Sequence, residues 1–135
     1  MNHEVLLPPG WPRPKGYSNG IAASGRQVYV AGQIGWNARC EFSTDQFSAQ
    51  VRQALENVVA VLGQAGASPE HVVRLTWFIT SRAEYLAEIA EVGAAYREVF
   101  GRNFPAMSVV EVTALMESRA KVEIEATAVV PVAAG

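Results

Sequence analysis

Apolar residues recur at intervals of three and four between residues 47 and 65. This spacing places them on one stripe of a helix, and such a stripe must be buried against another element of the fold. We expect Ser43 or Thr44 to cap the start of this helix and Gly66 to end it. The stripe consists of Phe47, Val51, Ala54, Leu55, Val58, Val61, Leu62 and Ala65.

Strand patterns flank this helix on both sides. The segment 21–23, a turn at Gly25 and Arg26, and the β-branched run 28–34 predict a β-hairpin. On the other side, residues 68–70 read as one helical turn with a proline at its first position, and they lead into a strand over residues 72–80.

The second half of the chain repeats the alternation of helix and strand. Ser81 and Glu84 have the spacing of a capping box, so a second helix is expected from about Arg82 to Phe100, ending at Gly101. Two further strands follow. The order β-β-α-β-α-β-β predicts an α+β mixed sheet with both helices packed on one face.

The second face of this sheet also needs a cover. In the strand 72–80, Leu75, Trp77 and Ile79 alternate with Thr76, Phe78 and Thr80, so neither side of the strand is strongly polar. No third helix is predicted to cover the second face, and self-association is therefore expected.

Composition narrows the range of functions. With 135 residues, half of them hydrophobic, the chain is expected to form a single domain, 1–135, without disulfides or metal, and residues 1–16 form an arm rich in Pro and Gly. A net charge of −2 with scattered basic residues argues against nucleic-acid binding. The lone Cys40, and the lack of a signal-like segment or a long apolar run, indicate a cytoplasmic protein without membrane association.

Several kinds of catalytic site do not fit the sequence. His3, His71 and Cys40 are too scattered to predict a metal site, so no metal is expected. Asp45 and His71 lack a nucleophile elbow near them, which argues against a hydrolytic triad. The glycines of residues 32–35 open no phosphate-binding motif. No cofactor is expected.

The candidate catalytic groups are the carboxylates of Glu123 and Glu125, which share one face of the last strand. They are either a solvated strand face or, if buried at a subunit junction, a general acid or base with a raised pKa. Tyr17 and Ser108 could offer hydroxyl groups to a ligand, and simple packing explains them equally well.

Nearly the whole chain resembles the RidA (YjgF) family of enamine and imine deaminases. The resemblance implies a chorismate-mutase-like subunit in a homotrimer with a central barrel and three ligand clefts between neighbouring subunits. The matching segments, in order, are residues 16–20 (GYSNG), 28–34 (VYVAGQI), 53–58 (QALENV), 72–79, 104–106 (FPA) and 122–129 (VEIEATAV).

The resemblance also implies roles for residues. It places Glu123 at the position of the family's catalytic glutamate and Met107 at the position of its substrate-binding arginine. A thioether cannot form the charge-assisted pair that a guanidinium makes with a carboxylate. Tyr17, Gly32, Met107, Ser108 and Trp36 are the expected substrate-binding residues, with Trp36 near the mouth of the cleft.

Two functions follow as hypotheses. The first is a hydrolase or deaminase that uses Glu123 on a small enamine, imine or related C–N compound, such as an aminomuconate-type intermediate, and not on a typical 2-imino acid. If the substrate is acidic, Arg13, Arg26 or Arg119 would have to supply a cation. The alternative is a non-catalytic trimer that binds a small metabolite. The acidic balance of the chain argues against endoribonuclease activity.

Overall fold

The computed structural model describes residues 3–132. A four-stranded sheet in the order β3-β6-β4-β5 forms its centre, and a short two-stranded sheet, β1-β2, lies beside it. The strands are β1 (Glu4–Leu6), β2 (Gly20–Ala22), β3 (Arg26–Ile34), β4 (Val72–Ile79), β5 (Ala106–Glu111) and β6 (Val122–Val130). The helices are α1 (Phe47–Gln64), α2 (Arg82–Ala87) and α3 (Ile89–Phe100), with a 3₁₀ turn at Pro69–His71.

The predicted mixed α+β sheet is confirmed. Strand β4 runs parallel to β5 and antiparallel to β6, and β6 runs antiparallel to β3. Helices α1 and α3 cover one face, where the apolar stripe of α1 packs on β3 and β6. Val51, Leu55, Val58, Leu75 and Ile124 are fully buried in this layer.

Two predicted boundaries are corrected. The helix predicted over 82–100 is broken at Glu88, whose carboxylate accepts a 3.0 Å hydrogen bond from the backbone N–H of Ser48 in the first turn of α1. This bond satisfies one of the free N–H groups at that helix start. Helix α1 itself begins after Gln46, so neither Ser43 nor Thr44 is its N-cap, although the Thr44 hydroxyl accepts a hydrogen bond from the Gln46 N–H.

The predicted hairpin around Gly25 is wrong. Strand β2 pairs with β1, and β3 pairs with β6. Gly25 has a φ of +148°, and a Cβ atom there would lie 2.2 Å from the carbonyl oxygen of Val130. This glycine therefore permits the close approach of β3 to the end of β6 and does not form the turn of a hairpin.

In the part of the chain that the structure describes, no helix covers the second face of the sheet. Tyr29 on β3 is 70% exposed and Val110 on β5 is 44% exposed on this side. Within residues 3–132, no helix is long and apolar enough to cross a membrane.

Candidate functional site

The carboxylate of Glu123 lies against the backbone of β3. The register of β3 and β6 shifts between Val30 and Gln33, which places a bulge at Ala31 and Gly32. A Cβ atom built on Gly32 would lie 2.2 Å from Oε2 of Glu123. Because Gly32 has no side chain, the Glu123 carboxylate can rest on the bulge, and bulges of this kind are frequent next to active sites.

Strand register assigns each candidate residue to a face of the sheet. Glu123 is paired with Phe78, which is paired with Val110, so these side chains share the face without helices. Met107 is paired with Leu75, which is fully buried against the helices. Within one subunit, the sheet therefore separates Glu123 from Met107.

A groove of about 500 Å³ lies on the helix side, between α3 and the edge strand β5. Its volume is in the usual range for small-molecule pockets. Tyr17 and Met107 both line it, so the structure brings these two predicted residues together. The remaining apolar and aromatic wall consists of Trp77, Tyr85, Ile89, Val92, Tyr96, Phe104 and Val109.

The N-terminal arm is held at this groove through Ser18. Its N–H donates to the carbonyl of Pro105 at 3.0 Å, and its hydroxyl donates to the carbonyl of Phe104 at 2.5 Å. Ser18 also forms a parallel bridge with Ala106 at the start of β5. These bonds place the neighbouring Tyr17, 40% exposed, beside Phe104 and Met107.

Tyr96 anchors the aromatic part of the wall. Its ring stacks on Phe104 at 6.0 Å between centroids and lies 6.4 Å from Trp77. Its hydroxyl donates a hydrogen bond to the carbonyl of Asn103. Burial raises the pKa of Tyr96, and it also raises the pKa of Tyr85 nearby, so both rings line the groove as neutral phenols.

The other predicted residues lie outside this groove. Ser108 is exposed on the face that also carries Glu123, where it is paired with Thr76. Trp36 follows β3 and packs on Phe42 at 5.9 Å, and its carbonyl accepts a 2.8 Å bond from Asn57. Within residues 3–132, no three His, Cys, Asp or Glu side chains cluster as a metal site would require.

Comparison with known proteins decides the family. Residues 12–130 match the family model described as endoribonuclease L-PSP. The 2-iminobutanoate/2-iminopropanoate deaminase of Salmonella typhimurium is 38% identical over 108 residues, which cover 78% of this chain and 80% of that protein. The chain belongs to the RidA/YjgF family.

Solved structures of RidA/YjgF relatives have the same fold. The Rid-family protein YyfB of Yersinia pestis superposes with a TM-score of 0.81 at 38% identity, covering 96% of this chain and all of that one. The structure of Escherichia coli TdcF with bound serine superposes with a TM-score of 0.66 at 31% identity, covering 93% of this chain and 98% of that one.

Reasoning from the sequence missed three residues that shape this member of the RidA/YjgF family. Asn57 of α1 donates to the carbonyls of Ile34 and Trp36 and so fixes the chain where it leaves β3. Gln50 is fully buried and joins α1 to the loop before β6. Arg97 of α3 lines the groove beside Met107. A polar residue within the apolar pattern of α1 was the available signal for Gln50 and Asn57.

Proposed function

We propose that this chain hydrolyses the C–N bond of a small imine or enamine in clefts between neighbouring subunits of a homotrimer. Glu123 removes a proton from water while the water oxygen adds to the imine carbon, and the nitrogen takes up this proton. The hydroxyl proton of the adduct then passes to the nitrogen as the C–N bond breaks. Ammonia leaves and a carbonyl group remains. No cofactor is needed, because addition of water to the imine requires only a base and a proton donor.

The observation that carries this proposal is the contact between the Glu123 carboxylate and the bulge at Gly32. A carboxylate that rests on glycine backbone is held in place on one side and open on the other. The open side is the sheet face without helices, which a neighbouring subunit would cover. Enclosure there would place the carboxylate beside a bound substrate and away from bulk water, as general base catalysis requires.

The relatives support the reaction class. A protein 38% identical to this chain carries the name 2-iminobutanoate/2-iminopropanoate deaminase. TdcF was crystallised with serine, a small amino acid, which supports a small-molecule ligand for this fold. Met107, in the place implied for a carboxylate-binding arginine, favours a substrate other than a typical 2-imino acid.

Met107 also favours a second candidate function, a trimer that binds a small metabolite without turnover. The two functions differ in what Glu123 does. For the enzyme, Glu123→Gln lowers kcat by about 100-fold or more, since general base catalysis contributes about 10²- to 10⁴-fold.

The matched control is Glu125→Gln, on the same strand and the same face, where Glu125 is exposed and Glu123 is partly buried. The assay measures ammonia release from a panel of imines and enamines, and light scattering checks that three 14.5 kDa chains assemble. Equal turnover by wild type and Glu123→Gln would rule out the proposed mechanism. No turnover by wild type, with ligand binding retained, would support the binding protein.

A further inference from the structure

Two cationic side chains line the groove that contains Met107. Lys15 on the N-terminal arm and Arg97 on α3 both line this groove. Within residues 3–132, the ion pairs involve other basic residues, and neither Lys15 nor Arg97 takes part in one. Of the residues the structure describes, no Asp or Glu lines the groove, so the charged groups of its lining are both cationic.

Gly93 creates the space that Arg97 occupies. A Cβ atom on Gly93 would lie 3.3 Å from Nη1 of Arg97. The guanidinium therefore lies over the bare backbone of α3 on the groove side, where any larger residue at 93 would crowd it. A positive charge in the C-terminal turn of α3 also interacts favourably with the helix dipole, and Arg97 lies in that turn. This interaction does not by itself require the guanidinium to lie over Gly93.

The wall of the groove contains one buried donor without an acceptor. Trp77 is 2% exposed, and its indole Nε1 has no hydrogen-bond partner among residues 3–132. Buried N–H groups of native proteins are nearly always paired. Trp77 lines the groove together with Tyr96 and Met107, so a bound ligand with a polar acceptor could complete this bond.

The cations that sequence reasoning considered are placed differently. Arg119 pairs with Asp45 at 2.9 Å and lies over the ring of Phe42. Arg26 donates to the carbonyl of Ala65. Arg13 lines a separate recess that it shares with Tyr17. Lys15 and Arg97 are the cations of the Met107 groove.

We propose that Arg97, assisted by Lys15, binds the substrate's carboxylate from α3, and that the substrate carries an aromatic or branched apolar group packed against Met107. This inference rests on the proposed function. Binding of the carboxylate, which the family resemblance implies for an arginine at position 107, is thereby assigned to Arg97 on α3. Met107 is then part of the apolar wall of the groove. The substrate class is therefore a 2-imino acid or enamine acid with a bulky apolar side chain.

Binding of product-like acids tests the site independently of turnover. Phenylpyruvate, the 2-oxo acid that hydrolysis of a phenyl-bearing imino acid would give, is titrated calorimetrically against the full chain beside pyruvate. Phenylpyruvate is expected to bind at least about tenfold more tightly, because burying a phenyl group contributes more than about 1.4 kcal/mol, the equivalent of tenfold. Equal binding, tighter binding of pyruvate or no binding of phenylpyruvate would overturn the inference.

Substitution of Arg97 tests the charge. Arg97→Gln is expected to weaken phenylpyruvate binding by about tenfold or more, and Arg97→Lys is expected to recover much of the loss. Arg26→Gln removes the same charge away from the groove and serves as the control, with a change of less than about twofold. An unchanged affinity in Arg97→Gln would refute the role of this residue.

Kinetics separate this inference from the proposed function. An amino-acid oxidase generates the imines of phenylalanine and alanine in place, and ammonia release is measured. Arg97→Gln should raise KM for the phenylalanine imine by about tenfold and leave kcat little changed. If wild type releases no ammonia while Arg97→Gln weakens phenylpyruvate binding, the proposed function fails and the binding role of Arg97 stands. If only the Glu123 variant shows a defect, the reverse holds.

Discussion

Replacing Gly32 by alanine displaces the Glu123 carboxylate without removing it. The added Cβ would lie 2.2 Å from Oε2, 2.6 Å from Cδ and 2.7 Å from Cγ of Glu123, whereas ordinary contacts begin at 3.4 Å. The flexible glutamate gives way before the backbone of β3 does. Its carboxylate must therefore move by more than about 1 Å from the bulge.

The expected effects on catalysis and on stability differ in size. A displacement of about 1 Å in a catalytic group can cost about 100-fold in rate, and we expect a loss of this size in kcat. The free energy of unfolding should change by no more than about 1 kcal/mol. An off-rotamer glutamate costs about 0.5–1.5 kcal/mol, and the lower backbone entropy of alanine in the unfolded chain offsets much of it.

The assay compares kcat for imine hydrolysis with the melting temperature of each variant. A change of 1 kcal/mol corresponds to about 3–5 °C for a domain of this size. In a Glu123→Gln background, Gly32→Ala should cause no further loss, because its effect acts through the same carboxylate. Gly63→Ala on the exposed face of α1, where a Cβ contacts nothing within 4 Å, is the control and should stabilise the protein slightly. Full kcat in Gly32→Ala would refute the reasoning.

Three further predictions concern stability. Gln50→Leu removes the hydrogen bonds to the backbone N–H of Lys121 and to the carbonyls of Thr44 and Arg119. It should lower the free energy of unfolding, measured by denaturant titration, by about 2–4 kcal/mol. The control, exposed Gln64→Leu, should change this free energy little. Burial raises the pKa of Tyr96, so its contribution to the free energy of unfolding is complete below pH 10 and declines above it as the unfolded phenol ionises. Tyr96→Phe should reduce this decline in stability between pH 9 and 11. An unchanged slope of stability against pH would contradict this prediction. The Ser48 side chain and backbone N–H lower the pKa of Glu88, so its contribution to the free energy of unfolding is complete above about pH 4.5 and is lost as pH falls through the folded-state pKa. Glu88→Gln should therefore make the free energy of unfolding less dependent on pH below pH 5.

The parts of the fold that depend on local pattern were predictable. The apolar stripe of α1 and the alternation of β6 are set by the helical and strand periods, and most residues of both stripes are buried. Val61, predicted in the stripe of α1, is 39% exposed instead. The proline after Ser68 produced the expected 3₁₀ turn before β4. The Ser81 hydroxyl accepts the Glu84 N–H at 3.0 Å, as its capping position indicated.

The errors arise where distant residues decide the local structure. The helix predicted over 82–100 breaks at Glu88, whose carboxylate binds the N–H of Ser48, far away in sequence. Gly25 resembles a turn glycine, yet its role is to let Val130 approach. No periodicity within either segment contains this information, since each partner comes from another part of the chain.

The candidate site was predictable in its residues but not in its arrangement. Tyr17 and Met107 line one groove, and Glu123 rests on Gly32 on the opposite face. Side chains alternate between the two faces of a strand, so the sequence assigns the residues of one strand to one face or the other. Deciding which residues of two different strands share a face requires the register of their pairing. The position of Arg97 depends on how α3 lies over β5, and the sequence pattern did not contain that packing.

Within one subunit, the sheet separates Glu123 from the groove that Arg97 lines, and this separation allows a direct test of the proposed cleft. If a cleft takes Glu123 from one subunit and Arg97 from its neighbour, Glu123→Gln and Arg97→Gln chains complement each other. Unfolding and refolding an equal mixture gives trimers in which about one quarter of the clefts contain both native residues. With substrate below KM, activity per cleft should therefore recover to about one quarter of wild type, roughly 2.5 times the activity of Arg97→Gln alone and far above that of Glu123→Gln alone. If both residues served the same cleft from one chain, mixing would restore nothing, and the intersubunit arrangement would be wrong.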